Sequence, residues 1–362
     1  RMFPNGNGDR NQRGFDFYNR LFDALLEAGI EPNVTLYHWD LPQALEDKGG
    51  WPTRAVLQPF ADYAYAVGEA FGDRVTRFAP TNEPAVFAFL GYAWGVHAPG
   101  IADDRAGIAA AHHTVVAHNL AMQALRATVP NAQLGPVLSQ SMPVVDDFTD
   151  QDQIRRAHLQ DDRMNLLWME SLLRGRYPQS MLDLHDGLLQ TLIKPGDLDV
   201  QPIDWLGVNF YFNARIAHGG VRDHNGAQPI GPLTDMGWPI NPNGLSALLL
   251  RWHREYGDVI PELYVTENGV AYGDGPDAVG RVRDDRRIEY LGQHLAAIAE
   301  AIDGGAPVKG YYQWSLLDNF EWAYGYEKRF GLIHVDYETQ RRTIKDSARW
   351  YAKVIAHNGP AF

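Results

Sequence analysis

Short apolar runs of strand length alternate with longer amphipathic runs of helical period along this chain, and that alternation restricts its fold more than any other feature. Phe17, Leu21, Phe22 and Leu25 recur at helical spacing over 16–27, and Gly29 ends the pattern. A buried strand is expected at 33–39. The same grammar predicts strands at 75–80, 133–138, 205–210, 262–266 and 308–314. Helices are expected at 55–71, 107–128, across 151–173, at 245–256, 287–302 and 346–357. Strands separated by helices form parallel βαβ units. No Ser/Gly linker and no break in composition divides the chain, so a single domain over 1–362 is expected. The Gly- and Pro-rich stretch 213–243 is read as a functional loop rather than a linker.

Six such strands are visible, whereas a closed parallel barrel needs eight. A doubly wound open sheet, or a barrel completed by another chain, would also accommodate six. An open dinucleotide-binding sheet calls for a Gly-rich turn after a strand, and neither G-x-G-x-x-G nor G-x-x-x-x-G-K occurs. The expected fold is therefore an α/β (β/α)8 TIM barrel whose first two βα units lie outside the 362 residues. The chain starts at Arg1 without a visible signal peptide, so a cytoplasmic protein is expected, with secretion left open.

Acidic side chains outnumber basic ones 45 to 32, a net charge of −13, which argues against nucleic-acid or anionic-lipid partners. No apolar run has the length of a membrane span. The absence of cysteine removes disulfides, thiolate catalysis and Cys-ligated zinc.

In a βα barrel the chemistry sits at the C-terminal ends of the strands. Reading only those ends gives His38-Trp39-Asp40, Asn82-Glu83, Asn209 with Tyr211, Glu267-Asn268 and Trp314. Two carboxylates thus occupy corresponding places on different strands, among aromatics and amides. Sugars present C–H faces that stack on Trp and hydroxyls that pair with Asn, His and carboxylates. Glycosidic cleavage needs one carboxyl to protonate the leaving oxygen and a second at the anomeric carbon. A separation of about 5–5.5 Å gives retention and one of about 6.5–9.5 Å inversion, and the residues alone leave both open.

The motifs HWDLP (His38–Pro42), TNEP (Thr81–Pro84), TENG (Thr266–Gly269) and WSLLDNFEW (Trp314–Trp322), in this order, resemble those of glycoside hydrolase family 1. The resemblance extends from RMFPNG at the start to FGLIHVDYETQRRTIKDSARWY near the end. It implies a retaining β-glucosidase on a (β/α)8 barrel, acting on cellobiose-like, aryl or alkyl β-glucosides without cofactor or metal. Side activity on galactosides or fucosides is compatible with it, as is a homo-oligomer. By the same resemblance Glu83 is the general acid/base, Glu267 the nucleophile and Asn82 the partner of the sugar 2-hydroxyl. His38 and Trp39 bind the glycone, Tyr211 holds the nucleophile with Asn209 beside it, and Trp314 is the floor under the ring. Glu321 and Trp322 read the glycone's 3-, 4- and 6-hydroxyls, Phe330 walls that end, and Trp238 lies on the aglycone side, although Pro239 stands where the motif usually has Glu. Relatives that cleave 6-phosphoglycosides carry a serine at the place of Glu321. Lys328 matches their lysine, but a carboxylate facing a phosphate dianion repels it. His112, His113 and His118 share one helix without a common face and are read as structural. The competing reading is a catalytically impaired or complementation-dependent barrel that only binds sugar, motivated by the two units not seen.

Overall fold

The computed structural model describes residues 2–216 and 231–359. Every strand and helix expected from the pattern is present, with boundaries moved by a few residues. The long helix begins at Asp104 rather than 107, because the Asp103 carboxylate accepts from the Arg105 N–H at 2.9 Å and caps it. The helix Pro242–Tyr256 opens in the same way: Asn241 accepts from the Gly244 N–H, and Pro242 supplies a first-turn residue that needs no donor. The helices expected across 151–173 are Gln151–Asp161 and Leu167–Arg174, joined by one widened turn at Asp162–Leu166. Part of the loop expected at 213–243 lies outside the described residues. Its described start holds a short strand, Ala214–Arg215, parallel to Pro143–Val144.

The chain divides into two compact units. One runs to Ser139 and takes in Asp161–Gly207 and Val259–Pro261. Its strands Asn33–Tyr37, Arg77–Thr81 and Gln133–Leu134 form a parallel sheet, with Val34 opposite Phe78, Tyr37 opposite Thr81 and Phe78 opposite Leu134. Gly135 then interrupts the third strand; a Cβ there would stand 2.0 Å from the Trp205 carbonyl oxygen, so only glycine lets the two backbones meet. Helix Gln12–Glu27 lays Phe15 and Phe22 on Phe71, the last residue of helix Leu57–Phe71, with ring centroids 5.9 and 5.1 Å apart. Helix Asp104–Thr128 is buried around most of its circumference, which its alanines and Gly107 permit.

The other unit comprises Gln140–Gln160, Val208–Asp258 and Glu262 onward. Strands Leu263–Asn268 and Val308–Gln313 run parallel, flanked in sequence by helices Pro242–Tyr256, Asp285–Asp303 and Asp346–His357. An antiparallel hairpin, Ile333–Val335 with Arg342–Ile344, had no clear pattern in the sequence because each arm is three residues long. Among the described residues no helix is long and apolar enough to cross a membrane.

Candidate active site

In the first unit His38 and Trp39 follow strand Asn33–Tyr37, while Asn82 and Glu83 follow strand Arg77–Thr81. The Asn82 N–H donates to the Tyr37 carbonyl at 2.8 Å and the Glu83 N–H to the Val137 carbonyl at 2.9 Å, so parallel pairing continues past the strand end and fixes both residues. The Trp39 indole N–H donates to the Asn82 carbonyl at 3.0 Å. The Asn82 side-chain amide donates to His38 Nε2 at 3.1 Å. Burial lowers the His38 pKa to about 4, so the ring is neutral near pH 7. With Nε2 accepting, its proton sits on Nδ1.

Trp39 and Glu83 both have left-handed backbones, at φ 75° and 47°. A non-glycine residue held there costs on the order of 1–3 kcal/mol and persists only where the surroundings impose it. Glu83 is only 5% exposed, so the strain serves to hold a buried carboxyl in place. Nothing in TNEP announces this, since a residue before proline is biased towards extended backbone.

Glu267 lies near the end of strand Leu263–Asn268 in the second unit. The pairing with Val308–Gln313 shifts register between Val265 and Asn268, a bulge that re-aims the side chains around Glu267. The Tyr211 hydroxyl donates to Glu267 Oε2 at 2.7 Å, and the Phe210 N–H donates to the Glu267 carbonyl at 2.9 Å. Thr266 donates to the Asn209 side-chain oxygen at 2.6 Å. Asn268, wholly buried, donates to the Phe210 carbonyl and to Tyr290 and accepts from Tyr311 at 3.0 Å. Gly269 is required because a Cβ would come within 1.9 Å of the Trp314 carbonyl oxygen. Asn268 and Thr266 thus position the strand end, roles that the TENG motif does not by itself announce.

Phe330, 1% exposed, forms a buried cluster with Met236 and Ala271, against which Tyr211, Trp238 and Trp314 pack. The ring centroids of Tyr211 and Trp238 are 5.3 Å apart and those of Trp238 and Phe330 6.2 Å. Trp238 thus stands beside the tyrosine that holds Glu267. The Trp314 N–H donates to the Asn268 carbonyl at 2.9 Å, tying that tryptophan to the strand of Glu267. Burial raises the Glu321 pKa, opposed by hydrogen bonds from Asn319, at 3.2 Å, and from Trp314. Trp322 follows with φ 45°, the third site residue in the left-handed region. Lys328 donates to the Asp235 carbonyl at 2.8 Å and stands 5.9 Å from the Tyr324 ring.

The histidines of the long helix are built into the first unit. His112 reaches Tyr177 at 2.9 Å and Asp197 at 3.1 Å, and Arg54 closes on Asp197 with two bonds of 2.8 and 2.6 Å. His113 bonds the Trp51 carbonyl, and burial takes His118 down to about 3. Among the described residues no group of His, Asp or Glu is arranged to hold a metal ion.

Each unit therefore carries one carboxylate set at the end of a parallel strand and held among amides and aromatics. This is the equipment of a glycoside hydrolase. The profile of glycosyl hydrolase family 1 matches residues 1–360, and the chain belongs to that family. Beta-glucosidase A of Thermotoga maritima is 41% identical over 368 residues, 99% of this chain and 81% of the relative. A bifunctional beta-D-glucosidase/beta-D-fucosidase of Bifidobacterium breve is 41% identical over 382 residues, 98% of this chain and 81% of its own length. The beta-glucosidase from Thermotoga maritima in complex with deoxynojirimycin has a TM-score of 0.92 at 40% identity, covering 99% of this chain and 81% of that one. Family and neighbours give the fold as an α/β TIM barrel. The expectation of two missing βα units gains no support from a family match that spans 1–360.

Proposed function

We infer that this chain is a retaining β-glucosidase, built as one catalytic domain, that removes terminal β-D-glucosyl residues from cellobiose-like, aryl and alkyl β-glucosides. The observation that carries this reading is Glu267, set by a bulge at a strand end and held by the Tyr211 hydroxyl at 2.7 Å. A donor on one carboxylate oxygen favours the charged form and orients the group for attack on the anomeric carbon. In the proposed course Glu267 forms the glycosyl ester while Glu83 gives its proton to the leaving oxygen. Glu83, then a carboxylate, takes a proton from the water that cleaves the ester.

Asn82 serves the 2-hydroxyl, a contact that strengthens as the sugar acquires oxocarbenium character. His38, bonded to Asn82 through Nε2, binds the glycone together with Trp39. Trp314 underlies the ring, Glu321 and Trp322 read hydroxyls towards C6, and Phe330 closes that side. Unphosphorylated glycosides are the substrates in this reading, since Glu321 would repel a phosphate and Lys328 is engaged by the Asp235 carbonyl. Identity to the fucosidase-active relative supports turnover of β-fucosides as well. A sugar-binding barrel without activity is the less favoured reading, given about 41% identity to beta-glucosidases over 99% of the chain.

The test is hydrolysis of para-nitrophenyl β-glucoside by the chain and by Glu267→Gly. The variant is expected to lose turnover and to regain it with azide, yielding the α-azide. Near-full activity in Glu267→Gly would overturn the assignment, and glucose binding without turnover in the unaltered chain would favour the sugar-binding reading.

A further inference from the structure

Asp318 sits in the middle of the segment that runs from Trp314 to Trp322, and it is wholly buried with an elaborate set of partners. Its Oδ1 accepts from the Gly331 N–H at 3.0 Å and from the Lys345 ammonium at 3.1 Å. Its Oδ2 accepts from Arg329 at 2.7 Å and from the Val335 N–H at 3.3 Å. The Asp318 and Lys345 side chains are both 0% exposed. Burial, together with the nearby Arg287, pulls Lys345 down to about 8, and Asp318 is the group beside it that favours its charged form.

These partners all belong to the stretch that begins at Arg329 and carries Phe330, or to Lys345 behind it. The backbones of the two stretches are laced together: the Leu332 N–H donates to Ser315, Ile333 to Leu316 and Asp318 to Ile333, at 2.9, 2.9 and 3.0 Å. Gly331 passes so close that a Cβ would stand 2.1 Å from the Asp318 nitrogen. One residue further on, Asn319 accepts from Ser315 at 3.1 Å, accepts from the Tyr337 hydroxyl at 3.2 Å through its carbonyl, and donates to Glu321. Asp318 therefore fixes the point from which Asn319 reaches the Glu321 carboxylate. A buried carboxylate with two cations is costly to desolvate and is no general source of stability, so its presence here calls for a positional reason.

We propose that Asp318 is a positioning residue for sugar recognition: by locking the Trp314–Trp322 segment to Arg329, Gly331, Val335 and Lys345, it sets Glu321 and Trp322 to read the hydroxyls at the C6 end of the glycone. This rests on the assignment of Glu321 to that role under the proposed function.

The test is the ratio of kcat/KM for para-nitrophenyl β-glucoside to that for the β-xyloside, which lacks the C6 hydroxymethyl group, in the full chain and in Asp318→Asn, Arg329→Gln and Glu321→Gln. Asp318→Asn is expected to lower kcat/KM for the glucoside on the order of 10- to 100-fold, as one or two charge-assisted hydrogen bonds to the sugar are lost. The xyloside, which keeps the 3- and 4-hydroxyls but has no C6 hydroxymethyl, should fall by a smaller factor, so that the ratio drops. Arg329→Gln, a partner at the partly exposed side of the network, should move the ratio in the same direction by a smaller factor and keeps the test available if Asp318→Asn does not fold. Equal losses on both substrates in the Asp318 and Arg329 variants, with a collapsed ratio in Glu321→Gln, would overturn the positioning role alone. An unchanged ratio in Glu321→Gln would instead remove the underlying assignment of Glu321.

Discussion

Replacing Tyr211 with Phe isolates one interaction at the proposed nucleophile. The hydroxyl donates to Glu267 Oε2 at 2.7 Å, while the ring is held by Trp238 and Phe330 at centroid distances of 5.3 and 6.2 Å. The Phe ring therefore keeps its place and only the hydrogen bond is lost. A bond to an ionised group contributes about 1.5–3 kcal/mol. It is made to the charged carboxylate and not to the protonated acid in the same geometry, so its loss raises the Glu267 pKa by about 1–2 units, at 1.36 kcal/mol per unit. The acidic limb of kcat/KM against pH reports that group in the free enzyme. It is expected to move upward by the same 1–2 units. On the plateau the loss should be on the order of tenfold, from misorientation alone, because the charge that the hydroxyl supports leaves the carboxylate as the ester forms. Profiles measured with para-nitrophenyl β-glucoside for both proteins decide the matter. A lowered plateau with an unmoved acidic limb would refute the electrostatic reasoning and leave Tyr211 as a packing residue.

Glu83→Ala should cost alkyl β-glucosides about 10²–10⁴ in kcat/KM, the usual worth of general acid catalysis. Dinitrophenyl β-glucoside, whose leaving group needs little protonation, should lose far less in the glycosylation step; equal losses would contradict the acid role. Burial takes His113, His118 and His294 down to about 4, 3 and 4, below the unfolded value of 6.5. Their stabilising effect is complete above pH 6.5 and is lost as pH falls through that value towards 4, because the unfolded chain then binds more protons. Three such groups give a slope of at most about 4 kcal/mol per pH unit near pH 5, so urea midpoints should fall steeply between pH 6.5 and 5, and a flat series would show that these rings are not buried neutral. Gly269→Ala forces a Cβ to 1.9 Å from the Trp314 carbonyl oxygen and should cost about 2–3 kcal/mol in unfolding free energy together with activity; a variant of unchanged stability and turnover would show that the two backbones can separate.

The sequence alone determined the alternation of strands and helices, because a buried parallel strand needs an unbroken apolar run and a covering helix needs a 3.6-residue stripe. Both are local patterns. It also determined which residues stand at strand ends, since a motif such as TNEP or TENG travels with its strand. Boundaries moved by a few residues, at Asp103 because a capping carboxylate decided the start and at 133–138 because Gly135 splits the strand.

What the sequence could not give depends on groups distant along the chain. The left-handed backbones of Trp39, Glu83 and Trp322 carry no residue signature, since glycine would be the natural choice there and function required a side chain. Nothing local marks Asp318, Lys345 and Arg287 as buried, because burial is a property of what packs over a residue. Their partners lie 27 residues away for Asp318–Lys345 and 42 and 43 for the Arg287 bonds to the carbonyls of Arg329 and Phe330. The same holds for the hydrogen bond from Tyr211 to Glu267, which spans 56 residues. Local pattern named the chemical groups; only tertiary packing could orient them, because hydrogen bonds and desolvation act between atoms brought together by the fold.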